Sequence, residues 1–106
     1  MNGAEFVGHW HELKLELGQS FMQPGSGSEV ATRIAALGLS AEQSGQLKGI
    51  LDAVLRDTMY TLLLALDGDA SLGDCQQQFT VFDEDGQAVE SIGEAAWACF
   101  HGDAAS

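Results

Sequence analysis

The sequence predicts a small single domain of the α+β class over residues 1–106, with a long central helix, a β-hairpin and a C-terminal helix. Two observations lead to this class. Apolar residues recur at helical spacing over most of the chain up to Leu66 and again near its end. Between them, near residues 78–90, the spacing changes to the alternation of a strand. The length suits one domain, since domains most often hold about 100–150 residues.

The first element is predicted as a helix from Ala4 to Phe21. The stretch from Glu12 to Leu17 also alternates charged and apolar residues, which is typical of a half-buried strand and is the alternative for this segment. We favour the helix because the large apolar side chains follow one another at steps of three and four. They are Phe6, Val7, Trp10, Leu13, Leu17 and Phe21.

A loop and a short helix are expected next. Residues 23–28 (QPGSGS) hold the only proline of the chain beside glycines and serines, so we expect a flexible loop. Ser28 can cap a helix that carries Val30 and Ile34. Gly38 is expected to end this helix, because glycine adopts the left-handed conformation at little cost.

The long central helix is predicted to begin after Ser40 and to run to about Leu66. Ser40 and Gln43 form the Ser-x-x-Gln pattern of a capping box. On the outside of the helix, Asp52 and Arg56 are spaced to pair across one turn. The apolar face is wide and comprises Leu47, Ile50, Leu51, Val54, Leu55, Met59, Leu62 and Leu63.

The remaining elements are a hairpin and a terminal helix. Residues 78–90 alternate around an acidic turn in which Gly86 is expected to be left-handed. Ser91 and Glu94 repeat the capping-box pattern and predict the start of the last helix. The chain is expected to fray from about residue 102.

The charge is concentrated in the second half of the sequence. Up to Arg56 the chain holds four bases and six acids, a net charge of −2. No Lys or Arg follows Arg56, and the ten acids beyond it give −10. Too few bases are present for useful phosphate contacts, which excludes a nucleic-acid partner.

The sign of this charge suits a basic protein partner. The simplest alternative is a solvated acidic face that maintains solubility. The candidate partner-binding residues are Asp67, Asp69, Asp74, Asp83, Glu84 and Asp85.

These features predict a small, acidic, non-catalytic protein-binding module that needs no cofactor. In size and charge the chain is similar to small immunity and antitoxin proteins, which implies an inhibitor of a basic protein. A cytoplasmic location is expected, because the N-terminal segment lacks the basic start of a secretory signal and no apolar run reaches the roughly 20 residues of a membrane span. Cys75 and Cys99 are expected as reduced thiols, with a disulfide as the alternative.

A homodimer is a further expectation. The central helix is apolar over more than half its girth between Met59 and Leu66, and the aromatic side chains are numerous for so small a core. Packing of two copies through this helix would bury the excess. The alternative is that the hairpin and the terminal helix cover it.

Metal binding through the Asp-rich loops is the first alternative function. Asp83, Asp85 and Glu94 occupy positions one, three and twelve of an EF-hand loop, and these positions supply oxygen ligands. Ala88, however, stands where the sharp turn of that loop requires glycine.

A small enzyme that uses His9 and His11 is the second alternative. These histidines lie beside Glu12, which suits general acid–base chemistry. The segment does not match a zinc-protease helix, because Leu15 stands where the second histidine belongs.

Overall fold

The computed structural model describes residues 1–101, and this part of the chain contains four helices and one two-stranded hairpin. The elements are α1 (Gly3–Met22), α2 (Glu29–Ala36), α3 (Ala41–Leu66), β1 (Val81–Phe82), β2 (Ala88–Val89) and α4 (Ile92–Phe100). The predicted α+β class is confirmed. The fraying expected from about residue 102 lies outside the described residues.

Each of the first three helices begins at a side-chain cap, and those at Ser28 and Ser40 are the predicted ones. Asn2 caps α1 by accepting a hydrogen bond from the amide of Glu5 at 2.8 Å. Ser28 caps α2. Both hydrogen bonds of the capping box between Ser40 and Gln43 are formed, at 3.1 and 3.0 Å. Because α1 is continuous through residues 12–17, the strand alternative for that segment is wrong.

The hydrophobic core lies in one half of the molecule, where α1, α3 and α4 pack against one another. At the start of α1, a Cβ on Gly3 would overlap the carbonyl oxygen of Glu90, so this helix packs directly on the segment between β2 and α4. The core therefore joins the first helix to the last third of the chain. Its buried residues are Val7, Met59, Leu63, Val89, Ile92, Ala96 and Phe100.

The other half of the molecule is a helical arm, which we define as residues 14–55. Within these residues, all of which the structure describes, Lys14 and Ala31 alone are buried. The molecule is elongated, with extents of 46 × 31 × 25 Å and a radius of gyration of 16.1 Å. A compact domain of this length would have a radius of gyration of about 13 Å.

The predicted hairpin is present, with strands shorter than the alternation suggests. Val81 pairs with Val89 and Phe82 with Ala88, and Gly86 adopts the left-handed conformation in the turn (φ 81°). Phe79, which precedes β1, donates its amide to the carbonyl of Leu66 at 3.1 Å. The hairpin is therefore attached to the end of α3 as well as to the core.

The predicted pair between Asp52 and Arg56 is wrong. Asp52 instead accepts a hydrogen bond at 2.6 Å from the ammonium of Lys14, whose side chain is 8 % exposed. The Nε of Arg56 lies 3.6 Å from the carboxylate of Asp57. The carboxylate of Asp52 therefore links α3 to α1.

Candidate partner-binding surface

The acidic turn of the hairpin is built by one of its own carboxylates. Oδ1 of Asp83 accepts hydrogen bonds from the amides of Asp85 and Gln87, at 2.9 and 3.0 Å. Its Oδ2 lies 2.6 Å from the Met1 ammonium. The hydrogen bond from that ammonium, together with those from the backbone amides, holds the pKa of Asp83 below its ordinary value. Asp83 therefore orders the turn, while the side chains of Glu84 and Asp85 project from it into solvent.

An apolar pocket lies between this hairpin and α1. Phe6 and Trp10 form one wall, with ring centroids 5.9 Å apart, and Val81, Phe82 and Val89 form the other. Phe82 is 61 % exposed although it is the last residue of β1. We define the hairpin surface as these five residues together with Glu84 and Asp85. It combines exposed aromatic area with carboxylates that follow it closely in the chain.

Two further predicted acids lie beside the start of α4. One of them caps this helix in place of the second predicted capping box. Ser91 has a left-handed backbone (φ 58°), and its side chain makes no capping hydrogen bond, so the predicted box between Ser91 and Glu94 is wrong. The amide of Gly93 instead donates to Oδ2 of Asp67 at 2.6 Å. The carboxylate of Asp69 also approaches Gly93, since a Cβ built there would lie 2.8 Å from its Oδ2.

Asp67 therefore caps α4 from the end of α3, where it also terminates the preceding helix. An anionic acceptor at a helix N-terminus is favoured both by the unsatisfied amides and by the helix dipole. This contact joins the end of α3 to the start of α4 across 26 residues of sequence. Gly93 is buried at the contact, and a larger residue there would displace one of the carboxylates.

Asp74 lies apart from both groups. It is exposed in a short turn closed by backbone hydrogen bonds between Leu72 and Cys75, at 2.7 and 3.0 Å. The structure thus distributes the six predicted acids among three places: the hairpin turn, the start of α4 and this turn.

The structure also assembles an acidic pocket that sequence reasoning missed. Glu5 of α1, Glu90 after β2 and Glu94 of α4 line an open depression beside the start of α1. No local pattern relates these three glutamates, because they meet only when Gly3 packs on the carbonyl of Glu90. The one sequence feature that bears on this pocket is Gly3 at the start of the helix, where the close contact with Glu90 leaves no room for a side chain.

The uneven distribution of charge along the sequence is also an uneven distribution of charge in the folded molecule. Three of the four bases pair with acids no later in the chain than Asp57: Lys14 with Asp52, Arg33 with Glu29 at 3.0 Å, and Arg56 with Asp57. Among the residues that the structure describes, no Lys or Arg forms an ion pair with an acid beyond Asp57. The acids around the hairpin and the start of α4 are therefore not neutralised by Lys or Arg side chains in this part of the chain.

The two histidines of α1 have different surroundings. His9 is exposed, with its Nδ1 3.7 Å from a carboxylate oxygen of Glu12, whereas His11 packs edge-on against Phe100 at 5.8 Å. Within residues 1–101, no group of three or more His, Cys, Asp or Glu side chains is arranged to hold a metal ion.

Both cysteines are free thiols, Cys75 exposed and Cys99 partly buried beside the core. Burial raises the pKa of the Cys99 thiol above its ordinary value. Among the described helices, none is both long and apolar enough to cross a bilayer.

No protein-family model, curated protein or solved structure matches this chain. The case for function therefore depends on the chemistry of these surfaces.

Proposed function

We propose that this protein is a non-catalytic binding module for a basic protein and that the hairpin surface receives the partner. The observation that carries the proposal is the exposed ring of Phe82, which lies beside an apolar pocket and is followed at once by acids. This arrangement suits a partner segment in which an apolar side chain is flanked by Lys or Arg.

The arrangement has the anatomy of a protein-binding surface. Binding energy at interfaces comes mostly from a few aromatic or other large side chains in water-excluded pockets, and the polar rim contributes orientation. Here Phe82, Phe6 and Trp10 supply the aromatic area, and Glu84 and Asp85 supply the rim. We therefore assign affinity to the rings and selection of a basic partner to the carboxylates.

The other predicted acids contribute at longer range. Asp69 and Asp74 add to the negative field without belonging to the hairpin surface. Such a field accelerates encounter with a basic partner by about 10 to 1000-fold at low ionic strength. Asp67 serves chiefly as the cap of α4, so its part in binding is the weakest of the six.

One form of this function is inhibition of a basic protein, as in small immunity and antitoxin proteins. This form is supported by the negative charge of the acids beyond Asp57, because no Lys or Arg among the described residues pairs with them. The free thiols of Cys75 and Cys99 support a reducing compartment such as the cytoplasm.

A pair of synthetic peptides tests the proposal. One carries a Leu between two blocks of Lys and Arg, and the other has Ser in its place, so both have the same charge. We expect fluorescence anisotropy to show tighter binding of the Leu peptide, with affinity falling as salt rises. The substitution Phe82→Ser should abolish the preference for Leu, which corresponds to a loss of roughly tenfold or more for one buried aromatic contact.

A charge-matched variant pair provides the control. The double substitution Glu84→Gln and Asp85→Asn should weaken both peptides by about 2–30-fold, at roughly 0.2–1 kcal/mol for each exposed charge. The pair Glu16→Gln and Glu42→Gln removes the same charge from the arm and should change binding much less. Equal effects of the two pairs, or no difference between the peptides on the native protein, would contradict the proposal.

A further inference from the structure

Helix α3 presents an apolar surface that the described part of the chain leaves largely uncovered. Along α3, residues at steps of three and four form what we call the outer face. Most of this face is turned to solvent, and at one edge Thr58 and Leu62 line an apolar groove together with side chains of α1. Ile50 is 60 % exposed and Val54 51 %, although both are large apolar side chains. The outer face consists of Leu47, Ile50, Leu51, Val54, Thr58, Thr61 and Leu62, none of which is charged.

The exposed apolar residues of α3 lie elsewhere on the helix than the sequence predicts. Met59 and Leu63 are buried under α1 and α4, so these helices cover much of the segment where a second copy was expected to pack, although Leu62 stays 38 % exposed. The most exposed of its large apolar residues, Ile50 and Val54, lie near the middle of the helix, in the arm. A homodimer through α3 would therefore use the outer face.

The molecule as a whole exposes more surface than a compact monomer would, by an area large enough for a dimer interface. The accessible surface is 6951 Å², whereas a compact monomer of this mass exposes about 5,700 Å². The difference exceeds the roughly 800 Å² that each partner buries in an interface of standard size. Helices in proteins gain most of their stability by packing an apolar face, and the arm has little of its own core to provide this.

We propose that a second copy of this chain covers the outer face, with the two α3 helices antiparallel across a two-fold axis near Val54. Val54 lies at the middle of Ala41–Leu66, so such an axis pairs Val54 with itself. The same axis places Ile50 opposite Thr58 and Leu47 opposite Thr61. All three pairings bring uncharged residues together.

Charge selects the antiparallel arrangement over the parallel one. Each chain has a net charge of −12, and most of the acids without a Lys or Arg partner lie at the end of the molecule that holds the hairpin and the start of α4. A parallel pair would bring these two ends together. An antiparallel pair separates them by about the length of α3, roughly 39 Å at 1.5 Å per residue, which is several Debye lengths at physiological salt.

Sedimentation equilibrium over roughly 1–200 μM tests the association, because interfaces of standard size span micromolar and tighter affinities. We expect the native protein to have twice the 11.2 kDa mass of one chain. Val54→Lys should reduce it to that of one chain, and Ile50→Lys should do the same if the first variant fails to fold. Leu37→Lys is the matched control, since Leu37 is 66 % exposed but lies outside the outer face. A monomer at every concentration, or a dimer that survives both lysine substitutions, would overturn the proposal.

Cross-linking tests the orientation. In a background of Cys75→Ser and Cys99→Ala, a short bismaleimide should link two copies of Val54→Cys, which sit at the axis. It should fail to link two copies of Leu47→Cys, because each then faces Thr61 of the second copy. Efficient linking at both positions would indicate a parallel pair and would refute the antiparallel arrangement.

Discussion

Removal of the carboxylate that caps α4 should destabilise the protein more than removal of the serine that occupies the local capping position. Gly93 is buried, and its amide donates at 2.6 Å to Asp67, 26 residues away in the sequence. Loss of a helix cap costs about 0.5–2 kcal/mol, and a buried amide left without an acceptor costs about 1–3 kcal/mol. These describe the same contact, so we expect Asp67→Ala to cost about 2 kcal/mol.

Substitutions of Ser91, the residue at the local capping position, should be neutral or stabilising. Ser91 holds a left-handed backbone and makes no capping hydrogen bond, so Ser91→Ala should be nearly neutral. In Ser91→Gly, relief of about 1–2 kcal/mol of left-handed strain exceeds the roughly 0.4–1 kcal/mol of added chain entropy in the unfolded state. We therefore expect Ser91→Gly to stabilise the protein by about 0.5 kcal/mol.

Urea unfolding followed by circular dichroism measures all of these changes, at one fixed protein concentration because association would add to the stability. Asp67→Asn provides an intermediate variant: its side chain keeps an acceptor oxygen but loses the interaction of a charge with the helix dipole, about 0.3–1 kcal/mol. The reasoning is refuted if Ser91→Ala and Ser91→Gly both cost a kilocalorie or more while Asp67→Ala costs nothing.

Two further predictions concern single side chains. Asp52→Ala should cost about 1–3 kcal/mol of unfolding free energy, because it leaves the buried Lys14 ammonium without its acceptor. Lys14→Met, which removes the charge and keeps the volume, should cost less than about 1 kcal/mol; equal costs in urea titrations would contradict this asymmetry. Mass spectrometry after iodoacetamide treatment should find Cys75 modified before Cys99, because Cys75 is exposed. The raised pKa of Cys99 leaves less thiolate at a given pH, so its labelling should increase only at higher pH, and equal rates at both thiols would argue against this.

The elements that follow from local physics could be predicted from the sequence. The caps at Ser28 and Ser40 use amides three residues away, and Gly38 and Gly86 take the left-handed backbone expected of them. Each of these depends on a few neighbouring residues, so the sequence contains all the information needed. The same holds for the hairpin, where Asp83 and the turn amides are close neighbours.

The candidate site could be predicted only in part, because tertiary contacts decide which acids are available. Asp83 and Asp67 are among the six acids predicted to bind a partner, yet both accept hydrogen bonds from backbone amides. The pocket that gathers Glu5, Glu90 and Glu94 has no counterpart in any short stretch of sequence. Likewise, the apolar pocket beside Phe82 depends on α1 packing against the hairpin.

Asp52 pairs with Lys14 rather than with Arg56 because the two interactions differ in free energy. At spacing i,i+4 on an exposed helix face, Asp52 and Arg56 would gain about 0.3–0.5 kcal/mol. Lys14 is 8 % exposed at its side chain, and a buried ammonium without its acceptor costs about 1–3 kcal/mol. The local pair is therefore outweighed by the buried base, and Asp52 bonds to Lys14 instead. A base on the apolar face of a predicted helix is accordingly a better guide to the ion pair that an acid forms than a base one turn away on an exposed face.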